Sequence, residues 1–296
     1  MVTVENPLVS IIVNCFNGEK YLKRALQSIL NQTYKNWEVI FWDNCSSDDS
    51  KKIFLEFQDS RFKYFISDKY TTLYEARNNA IKKSKGEILG FLDVDDWWDE
   101  KKLEKQITFF DDEKVGLVHS NCYLYYEYSK KKKIFHKKIL RSGYITSDLC
   151  KEYNIGILTV LLRKKAFFSE SGFNKVYNII GDFDLFMRLS SNWKFISMKE
   201  PLAYCRVHDK SFSFLNREIE ISEMEKWISD ENIVSNKDLK PYLHYINNRI
   251  TFIKTKKYIN DKNFMKAIKN IIFYPISFNK IKLLIHLILP KIFFKR

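Results

Sequence analysis

Short apolar runs rich in β-branched and aromatic residues alternate, along the first 120 residues, with stretches whose apolar positions recur every three or four residues. That alternation is the mark of βαβ units around a mostly parallel sheet. Leu8–Asn14 reads as a buried strand. Gly18–Gln32 reads as a helix whose inner face carries Tyr21, Leu22, Ala25, Ile29 and Leu30. Trp37–Trp42 is a second strand, and Ser46 or Ser47 is suited to cap a helix running through Phe57. A third strand at Phe62–Ile66, a helix at Leu73–Lys83, a fourth strand at Glu87–Leu92, a helix at Glu100–Phe110 and a strand at Gly116–Cys122 complete the regular part.

Beyond about Tyr123 the pattern loosens. Tyr123–Tyr128 and Ile134–Leu140 flank a basic turn, Lys130–Lys133, and predict an antiparallel hairpin. Asp182–Ser190 predicts a short helix and Leu202–Val207 a short strand. From Arg217 only helical periodicity is left. The expected organisation is an α/β domain over residues 1–215 followed by a helical extension over residues 216–296.

Charge sharpens that division. Of 296 residues, 50 are Lys or Arg and 36 Asp or Glu, a formal net charge of +14. Residues 241–296 hold 12 of the basic residues against Asp261 alone, so +11 of the charge sits in the tail. Basic helices with apolar clusters such as Phe264-Met265, Ile271–Tyr274, Leu283–Ile285 and Ile292–Phe294 suit the surface of an anionic membrane, or a protein partner. Five scattered cysteines with no CxxC pair read as reduced thiols of a cytosolic protein. Leu8–Val13 is too short for a signal peptide, and no stretch reaches the roughly 18 apolar residues of a spanning helix. The expected location is therefore cytoplasmic, peripheral on the inner face of the cytoplasmic membrane.

Acidic and polar residues gather where the predicted strands end: Asn14 and Asn17 after the first, Asp43 and Asn44 after the second, Asp93, Asp95 and Asp96 after the fourth. Open α/β sheets bind ligands at those carboxyl ends. The first turn, NCFNGEK, holds one glycine; neither GxGxxG nor GxxxxGK[ST] occurs, which argues against a dinucleotide enzyme or a P-loop ATPase. In FLDVDDWWD, residues 91–99, an apolar strand delivers Asp93 and Asp95 two residues apart. Hard oxygen ligands at that spacing suit Mg2+ or Mn2+ completed by phosphate and water.

These segments resemble the family 2 glycosyltransferases, which have the nucleotide-sugar-binding GT-A fold. The resemblance runs in order through VSIIVNCFNGEKYLKRALQSILNQTYKNWEVIFWDNCSSDDS, EARNNAIKKSKGEILGFLDVDDWW, GDFDLFMRLS and YCRVHDKSFS. It implies that Asn14 and Phe16 line the base pocket, that Asp43 accepts from a uracil, and that Arg77 meets the nucleotide or its phosphates. It further implies that Asp93 touches the ribose and Asp95 holds the metal. Arg206 and His208 would close over the diphosphate, with a metal role for His208 also open. Asp182 would be the catalytic base. The family usually reads Glu-Asp-Tyr-Asp there, and this chain reads Gly181-Asp182-Phe183-Asp184. Asp184 is expected to be structural, paired with Arg188 one turn on. Trp98 suits either a sugar-stacking or a packing role.

The implied reaction is a metal-dependent, inverting transfer from a nucleotide sugar, expected to be a UDP-sugar, to a hydroxyl of a glycan or lipid-linked glycan in cell-surface polysaccharide synthesis. Two other classes are weighed. A nucleotidyltransferase making nucleotide sugars would normally carry a Gly-rich loop with a basic residue after the first strand, which NCFNGEK is not. A basic nucleic-acid binder would carry a recognisable motif, and none appears. No nucleic-acid partner is expected, and self-association is left open.

Overall fold

Every residue of β1 (Val9–Cys15) and β2 (Trp37–Asp43) is buried, as strands covered on both faces require. The computed structural model to which they belong describes residues 6–138, 141–209 and 215–289. β2 pairs with β1 in parallel, β3 (Phe62–Ile66) joins β2 and β4 (Ile88–Phe91) joins β1, both also in parallel. The crossovers between them contain α1 (Glu19–Leu30), α2 (Ser50–Leu55) and α3 (Leu73–Lys83). α1 buries Leu22, Ala25, Leu26 and Ile29, with Tyr21 and Leu30 at the half-buried edge of the stripe. Burial of side chains like these stabilises by about 1.5–3 kcal/mol for each leucine or isoleucine.

The second half of the sheet departs from the parallel expectation. Its strands are β5 (Trp97–Trp98), β6 (Val115–Tyr126), β7 (Lys132–Ile134), β8 (Val160–Arg163) and β9 (Lys194–Val207). The order is β3-β2-β1-β4-β8-β6-β9-β5, with β7 on β6. β8 runs antiparallel to both β4 and β6, β5 antiparallel to β9, and β9 parallel to β6. The sheet is thus mixed, because an apolar run reports burial but not direction. β9 is more than twice the predicted length; its pairing with β6 is irregular around Asn121–Pro201, where proline has no N–H for the ladder.

Smaller differences follow from local chemistry. The helix expected over Glu100–Phe110 is α4 (Lys102–Ile107) followed by a tighter turn, Thr108–Asp111. The hairpin is formed by Tyr123–Tyr125 against Lys132–Ile134; the far end of its predicted second arm, residues 139–140, lies outside the described residues. α5 (Thr146–Lys151), α6 (Lys164–Ser169) and α7 (Gly181–Asn192) complete the first of two compact units, Met1–Leu215.

In the second unit, Asn216–Arg296, the described residues are helical: α8 (Arg217–Ser229), α9 (Glu231–Ser235), α10 (Leu243–Asn260), α11 (Phe264–Phe273) and α12 (Phe278–Ile288). The side chains of Asn263 and Ser277 cap α11 and α12. Ile271, Tyr274 and Leu283 form a small core with Phe252 and Leu287 against it. Outside that core, Met265, Ile268 and Ile272 of α11 and Ile281, Leu284, Ile285 and Ile288 of α12 are exposed at helical spacing. Among the described residues no helix is long and apolar enough to cross a membrane; the Ile292–Phe294 cluster lies outside them.

Candidate active site

The first two strand ends are locked together by their turns. Asn17 takes a left-handed conformation (φ 52°); its carbonyl Oδ1 accepts from the Ser47 N–H at 2.8 Å, and its own N–H donates to Ser46 Oγ at 3.0 Å. Ser46 and Ser47 therefore tie two turns together, and the predicted cap role falls away: α2 starts at Ser50, behind Asp49. Gly18 is required by close approach, since a Cβ there would lie 2.9 Å from Val94, the residue between Asp93 and Asp95.

Asp43 is buried, with Oδ1 accepting from the Ser46 N–H at 2.7 Å and Oδ2 from the Tyr64 hydroxyl at 2.6 Å. Each carboxylate oxygen keeps a lone pair for a ligand. Asn44 is consumed internally, its amide holding Thr71 through three hydrogen bonds. Asn14 differs. Its amide nitrogen and oxygen are both buried without a hydrogen-bond partner, a state that costs about 1–3 kcal/mol. Phe16 is 50 % exposed and meets Tyr70 edge-on, centroids 4.8 Å apart, so an aromatic face stands beside the orphaned amide's strand end. A donor–acceptor amide and an open ring suit a nucleobase.

The acidic loop after β4 is held from two sides. Arg77, buried on α3, donates to Asp93 Oδ1 at 2.5 Å. On the other side β5 pairs with β9 and so brings a segment more than 100 residues away against the loop. The Arg206 N–H donates to Asp96 Oδ1 at 2.8 Å and its Nε to the Asp95 carbonyl at 2.9 Å. His208 Nε2 lies 2.9 Å from Asp95 Oδ2. The Arg206 guanidinium itself turns towards α1, 4.5 Å from the Tyr21 ring centroid and 5.0 Å from that of Trp97. It lines a cleft of ≈ 680 Å³ together with Lys20, Tyr21, Arg24, Trp97 and Glu127. That cleft borders the acidic loop but is not walled by its carboxylates. Burial, then the charges of Asp95 and Asp93, push the Asp96 carboxyl well above the usual range.

Asp95 Oδ2 and His208 Nε2 meet directly in a hydrogen bond of 2.9 Å; a carboxylate oxygen and an imidazole nitrogen are a donor pair that a divalent ion takes in place of that hydrogen bond. Among the described residues no third His, Cys, Asp or Glu completes a group with them. Water and phosphate oxygens would fill the other positions, as Mg2+ and Mn2+ prefer.

Asp182 opens α7, partly exposed, in the first turn where the helix dipole favours a carboxylate. The Tyr74 hydroxyl lies 2.9 Å from its Oδ1. Burial raises the Asp182 pKa, against the opposing pull of the Arg77 charge and the Tyr74 hydrogen bond. Gly181 packs under the Tyr74 ring: a Cβ there would come within 2.5 Å of it. Tyr74 thus fills the space that a side chain at position 181 would take. Asp184 pairs with Arg188 at 2.7 Å, and Arg188 also binds the carbonyls of Glu170 and Gly172. This pair is structural.

Tyr74 and Arg77 stand three residues apart on α3, so one helix face reaches both Asp182 and Asp93. Tyr74 and Tyr64 were not singled out from the sequence. The Tyr74 position was readable from its i, i+3 spacing to Arg77, whereas the pairing of Tyr64 with Asp43 follows only from strand register. Trp98 is core, buried over Gly90 with its indole N–H donating to the Leu158 carbonyl at 2.9 Å. All five cysteines are free.

The sequence model of glycosyl transferase family 2 matches residues 10–178, more than half of the chain. The chain belongs to glycosyl transferase family 2. Within it, the chain is 35% identical over 159 residues to the Escherichia coli UDP-Glc:alpha-D-GlcNAc-diphosphoundecaprenol beta-1,3-glucosyltransferase WfgD, an alignment covering 54% of this chain and 61% of that one. The match thus spans less than two thirds of that relative. Two solved structures share the fold. S. aureus TarS 1–349 in complex with UDP-GlcNAc superposes with a TM-score of 0.60 at 14% identity over 88% of each chain. Mannosyltransferase PcManGT from Pyrobaculum calidifontis, in complex with GDP-Man and Mn2+, gives 0.61 at 14% identity over 97% of this chain and 89% of its own. The fold is therefore GT-A, and family membership sets aside the nucleotidyltransferase and nucleic-acid-binder readings.

Proposed function

We propose that this family 2 protein is an inverting glycosyltransferase that moves a sugar from a UDP-sugar to a hydroxyl of a lipid-linked glycan during polysaccharide assembly. The observation that carries the reading is the α3 face, which binds Asp182 through Tyr74 and the acidic loop through Arg77. A carboxylate suited to take a proton and a carboxylate pair suited to a diphosphate sugar thus share one support.

In this reading Asn14, Phe16 and Asp43 receive the base and Asp93 the ribose. Arg77 fixes Asp93. Asp95 and His208 would hold a divalent cation, which when bound supplies positive charge against the departing diphosphate. Arg206 holds the Asp95–Asp96 loop through its backbone N–H and Nε. The acceptor hydroxyl oxygen bonds to the anomeric carbon as the carbon–oxygen bond to the diphosphate breaks. The electron pair leaves with the diphosphate, and the hydroxyl proton passes to Asp182. WfgD, by its name, uses UDP-Glc and a diphosphoundecaprenol-linked GlcNAc, which makes that donor and acceptor class the first to try. The exposed apolar residues of α11 and α12, set among lysines, support peripheral attachment at an anionic inner membrane face where such acceptors lie.

The test is UDP release from a panel of UDP-sugars with a polyprenyl-diphosphate sugar acceptor, with Mn2+ or with chelator. Acceptor-dependent, metal-dependent release by the wild type, lost in Asp95→Ala together with metal-dependent donor binding by calorimetry, is expected. Release that ignores both acceptor and Asp95 overturns the proposal.

A further inference from the structure

We infer that Tyr74 is a positioning residue for Asp182, its hydroxyl holding that carboxyl in one orientation both before and after it takes a proton. The inference rests on the reading of Asp182 as the base. Its ground is hydrogen-bond arithmetic. The Tyr74 Oη lies 2.9 Å from Asp182 Oδ1 and 3.0 Å from the Ile179 carbonyl oxygen. The carbonyl can only accept, and the hydroxyl has one proton. When Asp182 is ionised, Tyr74 donates to it. When Asp182 takes the acceptor's proton on Oδ2, the oxygen not bonded to Tyr74, Oδ1 becomes the carbonyl oxygen of the acid and still accepts from the hydroxyl, or the Tyr74 proton turns to the Ile179 carbonyl. Neither state needs a heavy atom to move, so the base carries its proton without losing its place.

The ring is as fixed as the hydroxyl. Tyr74 is buried, packs on Phe173 with centroids 5.1 Å apart, and covers Gly181 so closely that no side chain fits beneath it. The space that a glutamate side chain next to the base would need is filled by this ring. Among the described residues, the charged and titratable groups that act on Asp182 are Tyr74 and Arg77 from α3, with Asp93 paired to Arg77; Asp184, on its own helix, is paired to Arg188. Tyr74 is the group among them whose hydrogen bond answers directly to the charge on Asp182.

The experiment compares full-length wild type, Tyr74→Phe, Phe173→Leu and 3-fluorotyrosine at position 74 in kcat, donor KM and the pH profile of kcat. Tyr74→Phe keeps the ring that covers Gly181. It should lower kcat roughly 10–100-fold, the cost of a misplaced reacting group, and leave donor KM within about twofold. Losing a donor to the ionised carboxylate should also move the acid limb to higher pH. The fluorinated residue, nearly the same shape with a more acidic hydroxyl, should move that limb to lower pH. Phe173→Leu loosens the same packing without touching the hydroxyl and should leave the limb in place. A wild-type limb in both position-74 variants, with Asp182→Asn inactive, overturns the role of Tyr74 and leaves the base assignment standing. Near-normal turnover in Asp182→Asn removes the base, and the inference with it.

Discussion

The strand ends of the first unit and the exposed apolar helix faces of the second are built on opposite principles. Around Asp43, Asp93, Asp95 and Asp182 polar groups are wholly or partly withdrawn from water and given fixed partners: Tyr64, Arg77, His208 and Tyr74. On α11 and α12 it is apolar side chains that are left in water, Ile276 between them being 97 % exposed, among lysines on long flexible stems. Desolvated polar groups in set positions make chemistry, since in low dielectric each charge acts strongly and without rearrangement. Exposed apolar groups among cations make adhesion, since both terms gain only when water is displaced by an anionic, greasy surface.

The sharpest way to break the contrast is at Asp182. Asp182→Asn should cut transfer by about 10²–10⁴-fold, measured as UDP release. It should not lower Tm near neutral pH. Burial raises the folded pKa of Asp182, so its stabilising contribution is present at low pH and is lost as pH rises through that folded pKa; a neutral amide escapes the loss. A lower Tm with intact transfer would make Asp182 a structural residue like Asp184.

The adhesive side is tested next. Met265, Ile272 and Phe273 are 85 %, 62 % and 78 % exposed, so replacing all three by Ser in the full chain should leave UDP release in detergent unchanged. Flotation with anionic vesicles should fall at least ~10-fold, since each such side chain is worth roughly 1.5–3 kcal/mol when removed from water. Equal flotation of both forms would show that the apolar face serves something other than a membrane.

The smallest effect is expected at Asn14. Because its buried amide bonds to nothing in the protein, Asn14→Leu should leave Tm unchanged or slightly higher, while UDP affinity by calorimetry falls about 5–20-fold, one or two lost hydrogen bonds. A drop in Tm with unchanged affinity would mean that the amide serves the fold and not a ligand.

Much of the first unit was legible along the chain. β1 to β4 and α1 to α3 announce themselves because burial on both faces, or on one stripe, leaves a periodic record. Asp43, Asp93 and Asp95 stand out because they sit where predicted strands end, whereas Asp182 is marked only by the resemblance of its segment to the family. The direction of β8, the first half of β9, and the turn of the Arg206 guanidinium towards Tyr21 and Trp97 left no such record. Each depends on a neighbour more than 40 residues away.

The chain alone thus determined β1 to β4, α1 to α3 and the apolar positions that they bury, and that carboxylates gather at one edge of a sheet, since these follow from local periodicity and from the strand-end rule. The tertiary structure decided which carboxylate is held by which partner. It set Tyr74 between Asp182 and the Ile179 carbonyl, left Asn14 open, and put His208 against Asp95. Hydrogen bonds act over about 3 Å, and only folding brings residues 74 and 182, or 95 and 208, within that distance.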